Sequence, residues 1–382
     1  MSGTRAFVVV LDGCGCGHLP DAADYGDEGA HTLRHVAEAV GGLRLPALTA
    51  LGLGNVDELP GAPPADTPAI HGRLAPRGPG KDTVTGHWEL MGASTPGPPV
   101  YRDGFPPEVV EAVRRATGRE FIGNEMSEGL AAIERHASAH LESGALILYT
   151  SADSVFQVAA HVDLVPEPDL YEVCERARAV LTGEHAVGRV IARPFEGAPG
   201  AFSRTAGRRD YPIDPPRNHV DVLAERGVPV HGVGKVAEIM GGRGFTESHP
   251  GSDNAAAIES VERLAAGLEA GLVFANLVDT DTVHGHRKDP EGFHASLQRT
   301  DEAVARWLAT MGPGDLLVLT ADHGCDPAHP GSDHTREFAP LLAFREAHDG
   351  RRVEGEMACV GASAVRWLTG EDAPGLPGTP FV

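Results

Sequence analysis

Three short apolar runs in this sequence each lead directly into carboxylate and imidazole side chains. The runs and the residues that follow them are AFVVVL with Asp12, LVFANLV with Asp281 and His286, and LLVL with Asp322, His323 and, beyond a Gly- and Pro-rich bend, His334. Parallel strands of an α/β sheet end at a common edge, and ligands bind beyond that edge. The pattern therefore predicts that oxygen and nitrogen ligands converge there, as in a two-metal phosphoryl-transfer site.

Strand-like and helix-like segments alternate along the chain. Strands are predicted at 6–11, 145–150, 187–192, 228–233, 272–278 and 315–320. Helices are predicted at 31–40, 108–117, 128–142, 169–182, 253–270, 293–311 and 361–369. This alternation predicts an α/β fold whose mostly parallel sheet is covered by helices on both faces.

Two Pro-rich clusters, at 95–99 and 211–217, interrupt this alternation. A length of 382 residues is enough for about two domains. The metal-ligand candidates lie on either side of the two clusters. We therefore expect a core domain formed by 1–97 and 217–382, with a smaller α/β cap domain inserted at 98–216. A single large domain with Pro-rich surface loops is the alternative.

The composition excludes some classes of partner. With 54 acidic and 32 basic residues the chain carries a net charge of −22, which argues against general binding of nucleic acid or anionic membrane. A local metal cluster can still attract an anionic substrate. The five cysteines form no disulfide framework. Neither a signal peptide nor an apolar run of about 20 residues is visible, so we expect a cytoplasmic protein.

The donor types narrow the choice of metal. One Asp at the end of a strand more often caps a turn than binds an ion, so each candidate alone is a weak signal. Several such clusters together favour metal binding. Carboxylate and imidazole ligands suit Mn²⁺, Zn²⁺, Co²⁺ or Fe²⁺ better than Mg²⁺ or Ca²⁺. Mn²⁺ and Zn²⁺ both remain open from the residues themselves.

The segment GPGKDTVTGHWELMG, at 78–92, has the pattern of a loop entering a helix. Free amides at the start of a helix favour a bound phosphate, and a metal can activate a hydroxyl there as a nucleophile. Thr83 or Thr85 is the candidate. A helix N-cap is the simpler interpretation of Thr83. The Walker spacing is absent, which argues against a nucleotide-binding loop.

The predicted insert contains polar and cationic residues on loops and strands. They are Ser151 and Asp153 after a strand, Arg189 and Arg193 in GRVIARPFEG, and Arg204, Arg208 and Arg209 in FSRTAGRRDY. Guanidinium groups suit phosphate and sugar hydroxyls. Solvated surface arginines are the alternative interpretation.

Taken together, these stretches resemble the phosphopentomutase family of the alkaline phosphatase superfamily. The resemblance spans the chain from end to end. The matching stretches are the strand before Asp12, GKDTVTGHWE, TSADSVFQVAAH, GRVIARPFEG, RRDY, VGK ending at Lys235, NLVDTDTVHGHRKD and TADHGCDPAHPGSDHTRE. Three local stretches depart from the family pattern: GCGCG after Asp12, Thr280 and His284 near the second strand end, and TESHPGSDN at 246–254.

The resemblance implies a sheet core of alkaline-phosphatase type with a cap, two metal ions and a phosphothreonine intermediate. It implies interconversion of ribose 1-phosphate and ribose 5-phosphate, and of the 2-deoxyribose equivalents. The ions implied are Mn²⁺, with other divalent metals possible, and such a mutase is primed by a sugar bisphosphate. The partners expected are small pentose phosphates.

Site roles also follow from the resemblance, residue by residue. One ion is matched by Asp281, His286 and His334, and the other by Asp12, Asp322 and His323. The nucleophile is matched by Thr83, three residues before the Gly of Gly86-His87. Sugar-phosphate contacts are matched by Ser151, Asp153, Arg189, Ile191, Arg204 and Lys235.

Two hypotheses compete with this one, the first from the same superfamily and the second from another class of protein. A phosphate-ester hydrolase or a cofactor-independent phosphoglycerate mutase would share the superfamily, but the latter is expected to have Ser at position 83 and a longer chain. A non-catalytic protein that binds metal or sugar phosphate would be favoured by loss of the nucleophile or of a ligand. All of these residues are present in this sequence.

Overall fold

The computed structural model describes residues 3–94, 97, 99–151, 154–346 and 350–382. The chain forms two compact units. The first comprises Met1–Pro96 and Pro215–Val382, and the second comprises Gly97–Asp214.

The first unit contains eight strands within the described residues. They are β1 (Arg5–Leu11), β2 (Ile70–Ala75), β9 (Val230–Val233), β10 (Glu247–His249), β11 (Gly271–Leu277), β12 (Asp315–Thr320), β13 (Ala339–Phe344) and β14 (Arg352–Glu356). They form one sheet in the order β10-β9-β11-β1-β12-β13-β2-β14. All neighbours pair in parallel except β12 with β13 and β13 with β2.

Helices and short helical turns complete the first unit. The helices are α1 (Thr32–Ala39), α2 (Pro46–Ala50), α3 (Leu53–Val56), α4 (Thr83–Leu90), α8 (His219–Glu225), α9 (Val236–Ile239), α10 (Asn254–Gly267), α11 (Pro290–Leu308) and α12 (Cys359–Thr369). A π-helical turn spans Thr280–His284, and 3-10 turns span Ala22–Tyr25 and Gly285–Arg287. Among the helices of the described ranges, none has both the length and the apolar character that crossing a membrane requires.

The centre of the first sheet is its most buried part. Strands β11 and β12 are buried at every position, and β1 at every position after Arg5. A strand that is covered on both faces is expected to be almost continuously apolar, and these strands are, apart from Asn276 within β11 and Asp315 and Thr320 at the ends of β12. The register places Leu11 beside Leu277, and Val10 beside both Asn276 and Thr320, so the three strands end together.

Within the described residues, the second unit contains a six-stranded sheet and three longer helices. The strands are β3 (Phe121–Met126), β4 (Leu146–Thr150), β5 (Val155–His161), β6 (Arg189–Glu196), β7 (Ser203–Arg204) and β8 (Arg209–Pro212). The helices are α5 (Pro107–Thr117), α6 (Gly129–Ser143) and α7 (Glu167–Val180), and a 3-10 turn spans Gly183–His185. The order is β3-β4-β5-β6-β7, with β8 also paired to β6. Buried side chains of β4, β5, β6, α5 and α7 form one core of this unit.

The sequence-based α/β prediction, with a mostly parallel sheet and a smaller inserted α/β part, is confirmed. Each predicted strand and helix overlaps an observed one. Asp253 is the N-cap of α10 and accepts a hydrogen bond from the Ala256 amide, but the helix ends at Gly267, before the predicted 270. The strands that were not predicted are mainly short, at sheet edges or antiparallel, such as β7, β8, β10 and β13. The sequences of β7, β8 and β10 lack long apolar runs, whereas the apolar run APLLAF of β13 was missed.

Candidate metal centre

The three central strands bring three aspartates to one edge of the sheet. Asp12 follows β1, Asp281 lies in the turn after β11, and Asp322 follows β12 by one residue. All three are at most 4% exposed. Because these strands are neighbours and run in parallel, residues from distant parts of the sequence meet at the carboxyl ends of the strands, where ligands of α/β sheets bind.

One group of possible ligands consists of Asp281, His286 and His334. Nε2 of His286 lies 3.4 Å from Oδ2 of Asp281, and Nε2 of His334 lies 3.4 Å from Oδ1 of the same carboxylate. The π-helical turn and the 3-10 turn that follows it carry the first two residues. A Cβ on Gly285 would lie 2.5 Å from the sulfur of Cys325, so the turn can lie this close to Cys325 only with Gly there.

A second group consists of Asp12, Asp322 and His323. Nε2 of His323 lies 3.4 Å from Oδ1 of Asp12 and 3.4 Å from Oδ2 of Asp322. Asp281 also takes part, since its carboxylate, that of Asp12 and the His323 imidazole lie within 4.8 Å of one another. The structure thus brings all six predicted ligands together, with Asp281 between the two groups.

The ligand atoms are arranged as an ion requires. Atoms about 2.1 Å from a tetrahedral ion are about 3.4 Å apart. Oδ1 of Asp12, Oδ1 of Asp281 and Oδ2 of Asp322 are buried without a hydrogen-bond partner. A buried carboxylate oxygen without a partner is unfavourable unless a cation satisfies it. The residues present therefore fit divalent ions.

The histidine tautomers also fit this role. Nδ1 of His286 donates to the carbonyl of Ser332 at 2.7 Å, and Nδ1 of His323 donates to the carbonyl of Gly324 at 3.1 Å. With Nδ1 carrying one proton, Nε2 is the nitrogen that can present a lone pair to a bound ion. This is the hydrogen-bond support that metal-binding imidazoles commonly have.

The density of negative charge shifts the pKa of several groups. Burial, reinforced by the charge of Asp322, raises the pKa of Asp12 to about 6. Burial disfavours protonated His323, but Asp322 and Asp12 outweigh it and raise its pKa to about 10. Burial also opposes ionisation of Asp322, yet the neighbouring His323 and His87 hold its pKa well below the usual range. A divalent cation would replace the His323 proton as the positive charge between these carboxylates.

Thr83 begins helix α4 beside the second group. Its Oγ1 lies 3.1 Å from Nε2 of His323. The cap of this helix is Asp82, whose carboxylate accepts hydrogen bonds from the amides of Val84 and Thr85. The Thr85 hydroxyl donates to that carboxylate at 2.9 Å, so Thr85 serves the cap while Thr83 faces the ligand groups.

Helix α4 approaches Asp322 closely because of Gly86. A Cβ at this position would overlap the backbone oxygen of Asp322. One residue further, the buried His87 donates from Nδ1 to the Thr83 carbonyl at 2.8 Å, and the same nitrogen lies 3.2 Å from Oδ2 of Asp322. The Gly86-His87 pair therefore joins the nucleophile candidate to a ligand candidate.

Sequence reasoning gave no role to two residues of this centre. One is His87, whose spacing of four residues from Thr83 places both on one face of a helix. The other is Asn276, which donates from Nδ2 to Oδ2 of Asp12 at 2.8 Å and is fully buried. The sequence did contain a signal for Asn276, since it is the single amide within the apolar run LVFANLV. A buried polar group needs a hydrogen-bond partner, so this amide could have been expected to contact another polar residue of the site.

The residues matched to sugar-phosphate contacts lie in both units. Lys235 is exposed and follows β9 in the first unit. In the second unit, Ser151 follows β4, Arg189 and Ile191 lie in β6, and Arg204 ends β7. The Ile191 side chain is buried, at 2% exposure, so it offers little surface to a ligand. Asp153 lies outside the described residues.

The second unit has a cationic cluster around the hydroxyl of Tyr149. Burial raises the pKa of Tyr149, while the charges of Arg193, Arg204 and Arg208 act in the opposite direction. Arg208 is neutralised by Asp210, at 2.6 Å. Arg204 has no carboxylate partner among the described residues and is exposed. Its positive charge is thus available to an anion.

Known proteins with similar sequences cover nearly the whole chain. A sequence profile of the metalloenzyme superfamily matches residues 4–370. The phosphopentomutase of Dictyoglomus thermophilum is 48% identical over 343 residues, which cover 89% of this chain and 88% of that protein. The phosphopentomutase of Anaeromyxobacter sp. (strain K) is 49% identical over 350 residues, covering 91% and 90%.

Among solved structures, phosphoglycerate mutase from Leishmania mexicana covers 99% of this chain and 97% of its own, with 13% identity and a TM-score of 0.48. That likeness is too distant to bear on the substrate.

Proposed function

Because the chain belongs to the phosphopentomutase family, within the metalloenzyme superfamily, we propose that it interconverts ribose 1-phosphate and ribose 5-phosphate, and the corresponding 2-deoxyribose phosphates. The enzyme is an isomerase that moves a phosphoryl group between two oxygens of one sugar. We further propose that Thr83 carries this group between transfers.

The observation that carries the proposal is the position of the Thr83 hydroxyl. Its oxygen is 3.1 Å from Nε2 of His323, at the start of a helix and beside two groups of buried acidic and imidazole ligands. Thr85, the alternative nucleophile, donates to Asp82 and is engaged in the helix cap. A hydroxyl at this place can both attack a phosphoryl group and release it again.

We propose Mn²⁺ as the ion at both positions, held by the six aspartates and histidines of the two groups. When bound, two such ions would neutralise phosphoryl oxygens and lower the pKa of the attacking hydroxyl. The mixed oxygen and nitrogen donors support a metal of this type. The buried Cys325 is not included among these ligands, since burial and the nearby Asp281 raise its pKa and disfavour the thiolate.

The reaction consists of two phosphoryl transfers, one from Thr83 to the sugar and one from the sugar back to Thr83. In the first, the 5-hydroxyl of ribose 1-phosphate takes the phosphoryl group of phosphothreonine, which leaves Thr83 free and forms a bisphosphate. In the second, Oγ1 of Thr83 attacks the phosphorus at position 1, and the bond to the anomeric oxygen breaks. Ribose 5-phosphate leaves and phosphothreonine is restored. A sugar bisphosphate can therefore prime an enzyme that lacks the phosphoryl group.

We propose that six residues bind the sugar phosphate: Ser151, Asp153, Arg189, Ile191, Arg204 and Lys235. Charge supports this role for Arg204 and Lys235, which have no ion-pair partner among the described residues. We also propose a cytoplasmic location, since all five cysteines are free and buried, as in a reducing compartment.

The test compares two substitutions of the proposed nucleophile. Thr83→Ala should abolish ribose 5-phosphate conversion, whereas Thr83→Ser, which keeps a hydroxyl, should retain part of it. Mass spectrometry of enzyme mixed with a ribose bisphosphate should locate phosphate on the peptide containing Thr83 and should find none in Thr83→Ala. Thr85→Ser is the matched control and should remain active, because Ser can also donate to the cap.

A phosphate-ester hydrolase is the competing function for such a site. Release of inorganic phosphate at the rate of ribose 5-phosphate consumption would favour the hydrolase. Phosphate on a residue other than Thr83 would refute the assignment of the nucleophile while leaving the mutase intact.

A further inference from the structure

Two histidines and a glutamate come together at the edge of the large sheet, on the short parallel strands β9 and β10. His231 lies in β9, and Glu247 and His249 begin and end β10. The register places Glu247 directly beside His231. Among the described residues, this is the one group of potential metal ligands that shares no member with the candidate metal centre.

The three ligand atoms form a triangle of suitable size. Nδ1 of His231 lies 3.0 Å from Nε2 of His249. Oε2 of Glu247 lies 3.9 Å from each of these nitrogens. In a tetrahedral zinc site such atoms are about 3.4 Å apart, and the observed separations of 3.0 and 3.9 Å lie on either side of that value.

We propose that His231, Glu247 and His249 form a third metal site, for Zn²⁺ or a divalent ion of similar softness, that joins edge strand β10 to β9. Two imidazoles and a carboxylate form a donor set that Zn²⁺ accepts, leaving a fourth position for water.

The surroundings allow an ion to enter and to be held. The two imidazole side chains are 11% and 15% exposed, so packing limits their rotation, while Glu247 is 63% exposed and leaves a path from solvent. Without an ion, the nitrogens at 3.0 Å form a hydrogen bond in which one imidazole donates to the other. The two imidazoles can therefore either form a hydrogen bond with each other or bind an ion together.

Such a site would stabilise a weak part of the sheet. Strand β10 has three residues and pairs with β9 alone. An ion held by both strands would close the chain between His231 and His249. That segment includes Gly234 and Lys235, which follow β9, and the Gly234 amide donates to the His249 carbonyl at 3.1 Å. The site would thus fix the turn that carries Lys235.

The experiment counts zinc in the full-length protein. Metal-free protein is equilibrated with Zn²⁺, separated from free ion by gel filtration and measured by elemental analysis. We expect His249→Gln and Glu247→Gln each to hold one zinc equivalent fewer than the wild type. His18→Gln, which changes an exposed histidine outside every such ligand group of the described residues, should hold the wild-type amount.

Equal zinc content in the wild type and in folded His249→Gln and Glu247→Gln would overturn the proposal. A second measurement requires no variant. Crystals of the wild-type protein grown with Zn²⁺ should show anomalous density between the three side chains at the zinc absorption edge, and clear side-chain density without such a peak would also overturn it. Neither result depends on turnover of a sugar phosphate, so the proposed mutase activity is tested separately.

Discussion

The hydroxyl oxygen of Thr83 lies 3.1 Å from Nε2 of His323, although 240 residues separate them in the chain. The contact joins the first residue of helix α4 to the loop after β12. Both ends are fixed, because Asp82 caps the helix and Nδ1 of His323 is bonded to the Gly324 carbonyl. The proposed nucleophile is therefore held in place beside the candidate ligands and would require little reorganisation before it reacts.

Asp322→Asn should remove one metal ion per chain and nearly all activity. The substitution keeps the shape of the side chain but removes the charge of an oxygen that is buried and has no hydrogen-bond partner. Metal content after gel filtration and turnover of ribose 5-phosphate are the measurements. Asp66→Asn is the matched control, since it makes the same charge change at an exposed position. Full metal content with normal turnover would exclude Asp322 from the site.

His87→Phe should weaken metal binding by about 10–100-fold, the usual effect of losing a residue that supports a ligand. Phenylalanine can preserve the packing against Phe274, whose ring centre is 5.6 Å away, but it cannot donate to the Thr83 carbonyl or approach Asp322 as a polar group. Affinity is measured by competition with a metal indicator. In His87→Asn the side-chain amide can replace Nδ1, and partial recovery is expected. Equal affinities in all three proteins would show that His87 only fills space.

Arg204→Ala should slow ribose 5-phosphate turnover by about tenfold to a hundredfold, since one charge-assisted hydrogen bond contributes about 1.5–3 kcal/mol. Arg204 has no carboxylate partner among the described residues, and we propose that its guanidinium group binds the phosphate that does not react. Para-nitrophenyl phosphate has no second phosphate, so its hydrolysis should change far less. The measurement is kcat/KM for both substrates, with Arg176→Ala on the exposed side of α7 as control. Equal losses on both substrates would contradict this role.

Arg5→Met should lower the free energy of unfolding at neutral pH by about 1.5–3 kcal/mol. Arg5 forms two hydrogen bonds of 2.7 Å with the nearly buried Asp315. Burial alone would raise the pKa of Asp315, but Arg5 outweighs it and the pKa is lowered. This contribution is present above the unfolded pKa of about 3.9 and is lost as the pH falls through the lower folded pKa.

The stability difference between wild type and Arg5→Met should therefore shrink as the pH falls below about 4. Urea unfolding at several pH values measures it. Arg263→Met breaks an exposed pair with Glu259 and should cost at most about 0.5 kcal/mol, while making the same change in net charge. A difference for Arg5→Met that stays constant down to acid unfolding would rule out this pH dependence.

Much of the fold was predictable because its central elements have strong local signals. Strands β1, β11 and β12 are buried on both faces, so their sequences are mostly apolar runs, with Asn276 as the one polar residue in the interior of these three strands. The inserted sheet was harder to predict. Strand β5, with the sequence VFQVAAH, is buried at every position, but it includes the polar residues Gln157 and His161. Polar residues within a buried strand weaken the apolar signal, although they find partners in the folded unit.

The site was predictable to the extent that its residues follow those strands. Parallel pairing requires that the strand ends meet, so the sequence indicated convergence of Asp12, Asp281 and Asp322. The roles of residues that support these aspartates could not be predicted from the sequence, because they depend on distances between side chains. Asn276 supports Asp12, and His87 links Thr83 to Asp322, through contacts between segments far apart in sequence.

The sequence by itself determined the α/β class, the family and the residue types available for metal and phosphate chemistry, because these depend on local periodicity and on motifs. The tertiary structure alone decided that Asp281 lies between two ligand groups, that Thr83 rather than Thr85 faces them, and that His231 and His249 meet at the sheet edge. Strand order and register set these distances, and both result from packing over the whole unit rather than from any one segment.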